Sequence, residues 1–121
     1  MKTSNQIGRD GEKYCLSYLI KKKYKILEQN WRYRRYEIDI IAQIKNYIIF
    51  FEVKTRKINY LISPETSISK SQIKRITDAA NYYIKKHEID FEVRFDIIAI
   101  TYDDNLYHVK HIKDAFYPTL N

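Results

Sequence analysis

The chain has 121 residues, enough for one domain with a core and too few for two. Its 45% hydrophobic and 15% aromatic content suits a folded globule, and no apolar run approaches the ~20 residues of a membrane span. A net charge of +7 suits a polyanionic partner, although AT-rich coding, with its abundant Lys, Ile, Asn and Tyr, would produce the same bulk charge without selection for binding.

Residues 1–6 lack the apolar stretch of a signal peptide, so a cytoplasmic location is expected. The spacing of Ile7, Gly11, Tyr14, Cys15, Tyr18 and Leu19 predicts a helix over about 5–22. Cys15 is the single cysteine, which excludes an internal disulfide and a Cys-rich zinc site. A first strand is expected over 24–30, entered through Lys21-Lys22-Lys23. It leads into Trp31-Arg32-Tyr33-Arg34-Arg35-Tyr36, where basic and aromatic residues alternate. Arginines suit phosphate and rings stack on unpaired bases, whereas the strand period makes Trp31 a core residue.

Two strongly apolar runs, 36–44 and 47–54, flank the polar pair Lys45-Asn46 and predict a β-hairpin. With those two residues as the turn, Asp39 lies opposite Glu52 and Glu37 opposite Lys54. Facing Cβ atoms stand about 5 Å apart, and two carboxylates at that distance repel by about 3 kcal/mol at an effective dielectric of about 20. Something must hold them. A divalent cation is one reading, and an ordinary salt bridge with Lys54 is the other. The strands are apolar on both faces, with Ile41 expected beside Asp39 and Phe50 beside Glu52, so the sheet should be covered on both sides.

Residues 55–67, with Pro64, read as a polar loop. A second helix is expected over about 68–87, capped by Ser67 or Ser69, with Ile68, Ile73, Ile76, Ala80, Tyr83 and Ile84 on its buried stripe. Tyr82 and Tyr83 read as packing residues. A strand over 91–100, a turn at 102–105 and a last strand over 106–112 complete the chain. His87, His108 and His111 have no metal-ligand spacing and are expected at the surface. The whole is a single α/β domain, 1–121, in the order αβββαββ.

An Asp on one strand and Glu-x-Lys on the next resembles the PD-(D/E)xK nuclease signature, whose restriction-endonuclease-like αβββαβ core has a central mixed sheet flanked by helices. More closely, the chain resembles the YraN-type family of small bacterial endonuclease-like proteins, related in fold to Holliday junction resolvases. The matching segments are Gly8-Arg9-Asp10-Gly11-Glu12, Asn30-Trp31-Arg32, Glu37-Ile38-Asp39-Ile40-Ile41-Ala42, Phe51-Glu52-Val53-Lys54-Thr55-Arg56, Arg94-Phe95-Asp96 and Asp114-Ala115-Phe116. They run in order along nearly the whole chain. The family usually has Gly at the place of Tyr36. In the second helix a Lys of the family falls at Gln72, with Lys70 two residues earlier.

The resemblance implies a metal-dependent endonuclease acting on DNA, including branched or damaged DNA. Mg²⁺ or Mn²⁺ would be held by Asp39, Glu52 and the main-chain carbonyl of Val53. Lys54 would orient the attacking water or meet charge on the phosphorane. Glu12 stands where related nucleases place a further acidic ligand, though Glu near a helix N-terminus also complements the dipole. Glu37 would tune Lys54 or pair with it, and Asp96 is expected to be a structural hydrogen-bonder. Arg32, Arg34, Arg35, Arg56, Lys70 and Gln72 would contact nucleic acid. Related resolvases are often homodimers. Two rival readings are a non-catalytic nucleic-acid-binding module that keeps the fold, and a basic protein that docks on another protein or a ribonucleoprotein.

Overall fold

Thr3 starts the first helix by a reciprocal exchange: its hydroxyl accepts the Gln6 N–H, and the Gln6 side chain accepts the Thr3 N–H. In a computed structural model, which describes residues 2–57 and 68–117, this helix is α1, Ser4–Lys21. Strands β1 (Lys25–Tyr33), β2 (Tyr36–Ile44) and β3 (Tyr47–Lys57) follow. Helix α2 (Lys70–Lys86) comes next, then β4 (Glu92–Asp103) and β5 (Leu106–Ile112). Ser69 caps α2 in the same reciprocal way with Gln72. Among the described residues no helix is long and apolar enough to cross a membrane.

Among the described residues five strands lie in the order in which they occur in the chain, and β3 with β4 is their one parallel pair. This is the mixed α/β sheet expected from the sequence, consistent with a restriction-endonuclease-like core. Its two faces are both buried. Cys15 and Leu19 of α1 pack with Ile40, Ala42, Ile49, Phe51, Ile98 and Ile100. On the other face Ile76, Ala79, Ala80 and Tyr83 of α2 pack with Ile38, Ile41, Ile48 and Phe50. The period-2 alternation of β3 explains the split, because Ile48 and Phe50 face α2 while Ile49 and Phe51 face α1.

Several boundaries differ from the sequence expectation. β1 continues past Asn30 to Tyr33, because Asn30 takes a left-handed φ of 49° within the strand instead of ending it. Thr55, Arg56 and Lys57, expected in the loop, pair with Ile100, Thr101 and Tyr102. The rest of that loop, 58–67 with Pro64 and Ser67, lies outside the described residues. Tyr14 is 44% exposed and lies against Tyr107, with ring centres 5.6 Å apart. Ile68 precedes α2 and is half-buried.

The chain has two glycines, and neither has positive φ. Its tight connections therefore use other residues in the left-handed region, at about 1–2 kcal/mol each. Arg34 (φ 58°) and Lys45 (φ 52°) open the two-residue turns after β1 and β2, and Asp104 and Asn105 (47° and 64°) form the turn before β5.

A buried polar cluster joins β4, β5 and the segment after β5. Asp96 is wholly buried. Arg94 grips it with two hydrogen bonds of 2.9 Å, His111 Nε2 stands 2.7 Å away, and the Asp114 N–H donates to it at 3.1 Å. Burial opposes the Asp96 charge, but the bonds from His111, Arg94 and the Asp114 N–H outweigh it and hold the carboxyl below its ordinary value. The Ala115 N–H bonds the Phe95 carbonyl, and Phe116 stacks on Phe95 at 5.3 Å. The two sequence motifs Arg94-Phe95-Asp96 and Asp114-Ala115-Phe116 are thus one structure. Asp96 is a structural hydrogen-bonder, as expected. His111 corrects the expectation for the histidines: its side chain is 6% exposed, held between Asp96 and Tyr18. His87 and His108 are exposed.

Gly11 brings α1 close to β3. A Cβ there would meet Thr55 Oγ1 at 2.7 Å and Thr55 Cγ2 at 3.0 Å, so rotating the threonine exchanges one clash for another. Gly8 has open space around it. Gly11→Ala should therefore destabilise the protein by about 1–3 kcal/mol, and Gly8→Ala should stabilise it by up to about 1 kcal/mol. Urea unfolding midpoints of the two variants check this. By the same measurement Asp96→Ala, which strands the buried Arg94 guanidinium, should cost about 3–5 kcal/mol.

Candidate active site

The hairpin of β2 and β3 has the register expected from its turn. Ile44 pairs with Tyr47, and the ladder continues to Ile40 and Phe51. One step further Asp39 would face Glu52, and there the ladder stops. The Asp39 carboxylate takes the place of a main-chain acceptor: Oδ2 accepts the Val53 N–H at 2.7 Å. Alternation fails at the same point. Ile38 and Ile41 pack in one cluster under α2, while Ile40 packs under α1. The expectation that Ile41 shares a plain strand face with Asp39 is corrected accordingly. Asn30, the residue of β1 between Gln29 (paired with Ile40) and Trp31 (paired with Ile38), is the one with left-handed backbone.

This break leaves a cavity of about 10 Å³ lined by Glu12, Leu16, Gln29, Asn30, Asp39, Ile40 and Val53. That is about the room one water needs. Glu12 reaches it because Gly11 seats α1 against Thr55. Burial pushes the Asp39 carboxyl up to about 7; Glu52, Glu12 and Glu37 push the same way, while the Val53 N–H works against them. Cys15, buried nearby, has its thiol pushed up to about 12 by burial and by Asp39 and Glu12, which leaves it unreactive. Among the described residues no three of His, Cys, Asp and Glu are grouped so as to hold a metal ion by themselves.

Glu52 lies beside this cavity with both oxygens engaged. Lys54 Nζ is 3.5 Å from Oε1, and the Tyr36 hydroxyl donates to Oε2 at 3.1 Å. Glu52 and Lys54 are each 13% exposed. Burial and Glu52 push the Tyr36 hydroxyl well above its ordinary range, so it remains a donor at neutral pH. Glu37 pairs with Arg32 at 3.4 Å across β1 and β2 and is not the partner of Lys54.

The basic residues are dispersed. Arg34 and Arg35 form the β1–β2 turn, and Arg56 bonds the Thr55 carbonyl. Lys70 opens α2. Gln72 is committed to the helix cap, where its side-chain oxygen accepts the Ser69 N–H at 3.0 Å. Trp31 packs against the α2 core edge-on to Tyr83 at 5.1 Å. Arg75, given no role by the sequence, emerges beside Arg34 and Arg35, and Tyr82, expected to be a packing residue, stacks on Tyr33 and Trp31 while remaining 45% exposed. Arg75, Asp78 and Tyr82 stand at i, i+3 and i+7 on α2, a helical stripe that was open to inspection in the sequence.

Residues 11–100 match the model of the uncharacterised protein family UPF0102. The chain belongs to the UPF0102 family. UPF0102 proteins of Parabacteroides distasonis and Christiangramia forsetii are 41% and 42% identical to it, each over 97% of this chain and over 97% and 98% of their own lengths. One from Flavobacterium psychrophilum is 39% identical over 97% of this chain. The UPF0102 match takes in Glu12, Asp39, Glu52, Lys54 and all of α2. The family description names no activity.

The raised Asp39 value has a definite effect on stability. The folded protein keeps a proton on Asp39 up to about pH 7, whereas the ordinary value is 3.8. Its stabilising contribution is therefore complete below about pH 4 and is lost as the pH rises through about 7. In EDTA, stability measured by urea unfolding should fall across that window, and Asp39→Asn should flatten the fall.

Proposed function

We propose that this chain is a metal-dependent nuclease that hydrolyses phosphodiester bonds in DNA. The observation that carries the reading is the water-sized cavity walled by Glu12, Asp39 and Val53, with the Glu52–Lys54 pair beside it. Two carboxylates, Glu12 and Asp39, line the cavity, and the charges of Glu52, Glu12 and Glu37 add to burial in disfavouring the charge on Asp39. A cation relieves that repulsion. The donors are hard oxygens, and Mg²⁺ commonly rests on one or two carboxylates with water completing its shell, so Asp39, Glu52 and the Val53 carbonyl are a fitting set for Mg²⁺ or Mn²⁺. Such an ion supplies charge withdrawal from the phosphate and a lowered pKa for bound water.

The chain's own residues have separable roles. Asp39, fixed by the Val53 N–H through Oδ2, lines the cavity and keeps its second oxygen for a ligand. Lys54, held by Glu52 within a mostly buried site, presents its ammonium to the phosphate oxygens and meets the charge that grows as water attacks. Glu12 lines the same cavity and offers its carboxylate as an acceptor there. Arg34 and Arg35 approach the phosphate backbone from the hairpin turn.

One observation favours the rival reading, a nucleic-acid-binding module without catalysis. Tyr36 and Lys54 each engage one oxygen of Glu52, so its charge is already partly met within the protein without an ion. The deciding assay incubates labelled four-way junction, flap, single-stranded and duplex DNA with the protein in Mn²⁺ and in EDTA. Cutting in Mn²⁺, absent in EDTA and reduced about 100-fold or more in Glu52→Ala, is the expected outcome. Binding without cutting in every lane would reject the nuclease and leave the binding module.

A further inference from the structure

The turn between β1 and β2 and the first half of α2 enclose a cleft of about 470 Å³ lined by Tyr33, Arg34, Arg35, Tyr36, Arg75 and Asp78. Its size falls within the range of small-ligand sites. Its chemistry is uneven in a specific way. Tyr33 is stacked on Tyr82 with ring centres 4.7 Å apart, and Tyr82 remains 45% exposed. Arg34 lies over the Tyr33 ring at 5.1 Å. Arg34, Arg35 and Arg75 form no ion pair among the described residues, and the one lining carboxylate, Asp78, pairs with Lys74 at 3.4 Å. Three cations thus border the half-buried Tyr33 ring, whose stacking partner Tyr82 is exposed just outside the lining, and the wall they share, Tyr36, is hydrogen-bonded to Glu52.

We propose that this cleft and the ring at its edge bind one unpaired nucleotide of the nucleic-acid substrate, its base against the exposed Tyr82 end of the Tyr33–Tyr82 stack and its phosphates on Arg34, Arg35 and Arg75. The proposal deepens the reading of the preceding section and rests on it for the nature of the ligand. Aromatic rings attract any base whose face is free, and guanidinium groups grip the phosphates on either side. In a duplex the faces are covered by neighbouring pairs, so a ring platform discriminates for a flipped, overhanging or junction nucleotide. Tyr36 then links two subsites. A nucleotide held in the cleft leaves its neighbouring phosphodiester one side chain away from Glu52 and Lys54. The place of the cleft therefore selects bonds next to a break in base pairing.

The single tryptophan makes the cleft observable, since Trp31 lies 6.2 Å from the Tyr82 ring and 6.4 Å from that of Tyr33. The intact chain in EDTA is titrated with fluorescein-labelled oligothymidine and with a blunt duplex of equal length. Anisotropy gives the affinities and Trp31 emission reports the cleft. The expected result is quenching by the single strand, binding about 10-fold or more tighter than to the duplex, and a loss of about 10-fold in Tyr82→Ala but not in Tyr82→Phe. Arg75→Ala should lower the salt slope by about 0.7. Equal affinity for both DNAs, or full affinity in Tyr82→Ala, would overturn the cleft. Either result leaves the nuclease intact if Mn²⁺-dependent cutting is seen. Conversely, Tyr82-dependent binding with no cutting anywhere would keep the cleft and remove the nuclease.

Discussion

The site depends on a substitution of partners at one backbone N–H. In an unbroken hairpin the Val53 N–H would be satisfied by a main-chain carbonyl of the sheet, yet here it is satisfied by the Asp39 carboxylate at 2.7 Å. Because a side chain supplies the bond, β2 and β3 stop pairing beyond Ile40 and Phe51 without leaving a buried donor unmet. The gap between the strands is then closed by α1, which can approach because Gly11 has no Cβ to strike Thr55. Polar groups from three elements reach one small cavity as a result, while the hairpin on the turn side keeps a dry, regular core.

Much of this was legible in the sequence, and for identifiable reasons. The hairpin register follows from period-2 burial on both faces and a polar pair at the only place a turn fits. The helix stripes follow from Ile7, Gly11, Cys15 and Leu19, and from Ile76, Ala80 and Tyr83. The break at Asp39 was not legible. It coincides with a left-handed Asn30 on the neighbouring strand, and Asn is as easily read as a strand terminator. Glu37 was assigned to Lys54 by register, but Arg32 of β1 competes for it from the other side. His111 was expected at the surface because the three histidines have no metal-ligand spacing, and only the buried Asp96 on β4 explains why this one turns inward.

Tyr36 and the arginine cleft were hidden for a different reason. Both depend on where α2 crosses the β1–β2 turn, which no local pattern encodes. Arg75 reads as a solvated helix residue until Tyr33 and Arg34 are placed beside it. The family match places the chain among relatives of nearly the same length. Tyr36 belongs to both regions. A ring that supplies a hydrogen bond to Glu52 and a wall to the cleft ties the two regions together through a single side chain.

The identity of strand order and chain order has a consequence for how the molecule assembles. β1, β2 and β3 form a meander of two short turns, and β4 with β5 forms a separate hairpin. Both are local and close quickly. Only the parallel pairing of β3 with β4 must wait for the chain to travel out through α2 and return. Asp39 and Glu52 both lie in the local meander, so their approach requires only the short turn at Lys45-Asn46 and none of the long-range pairing.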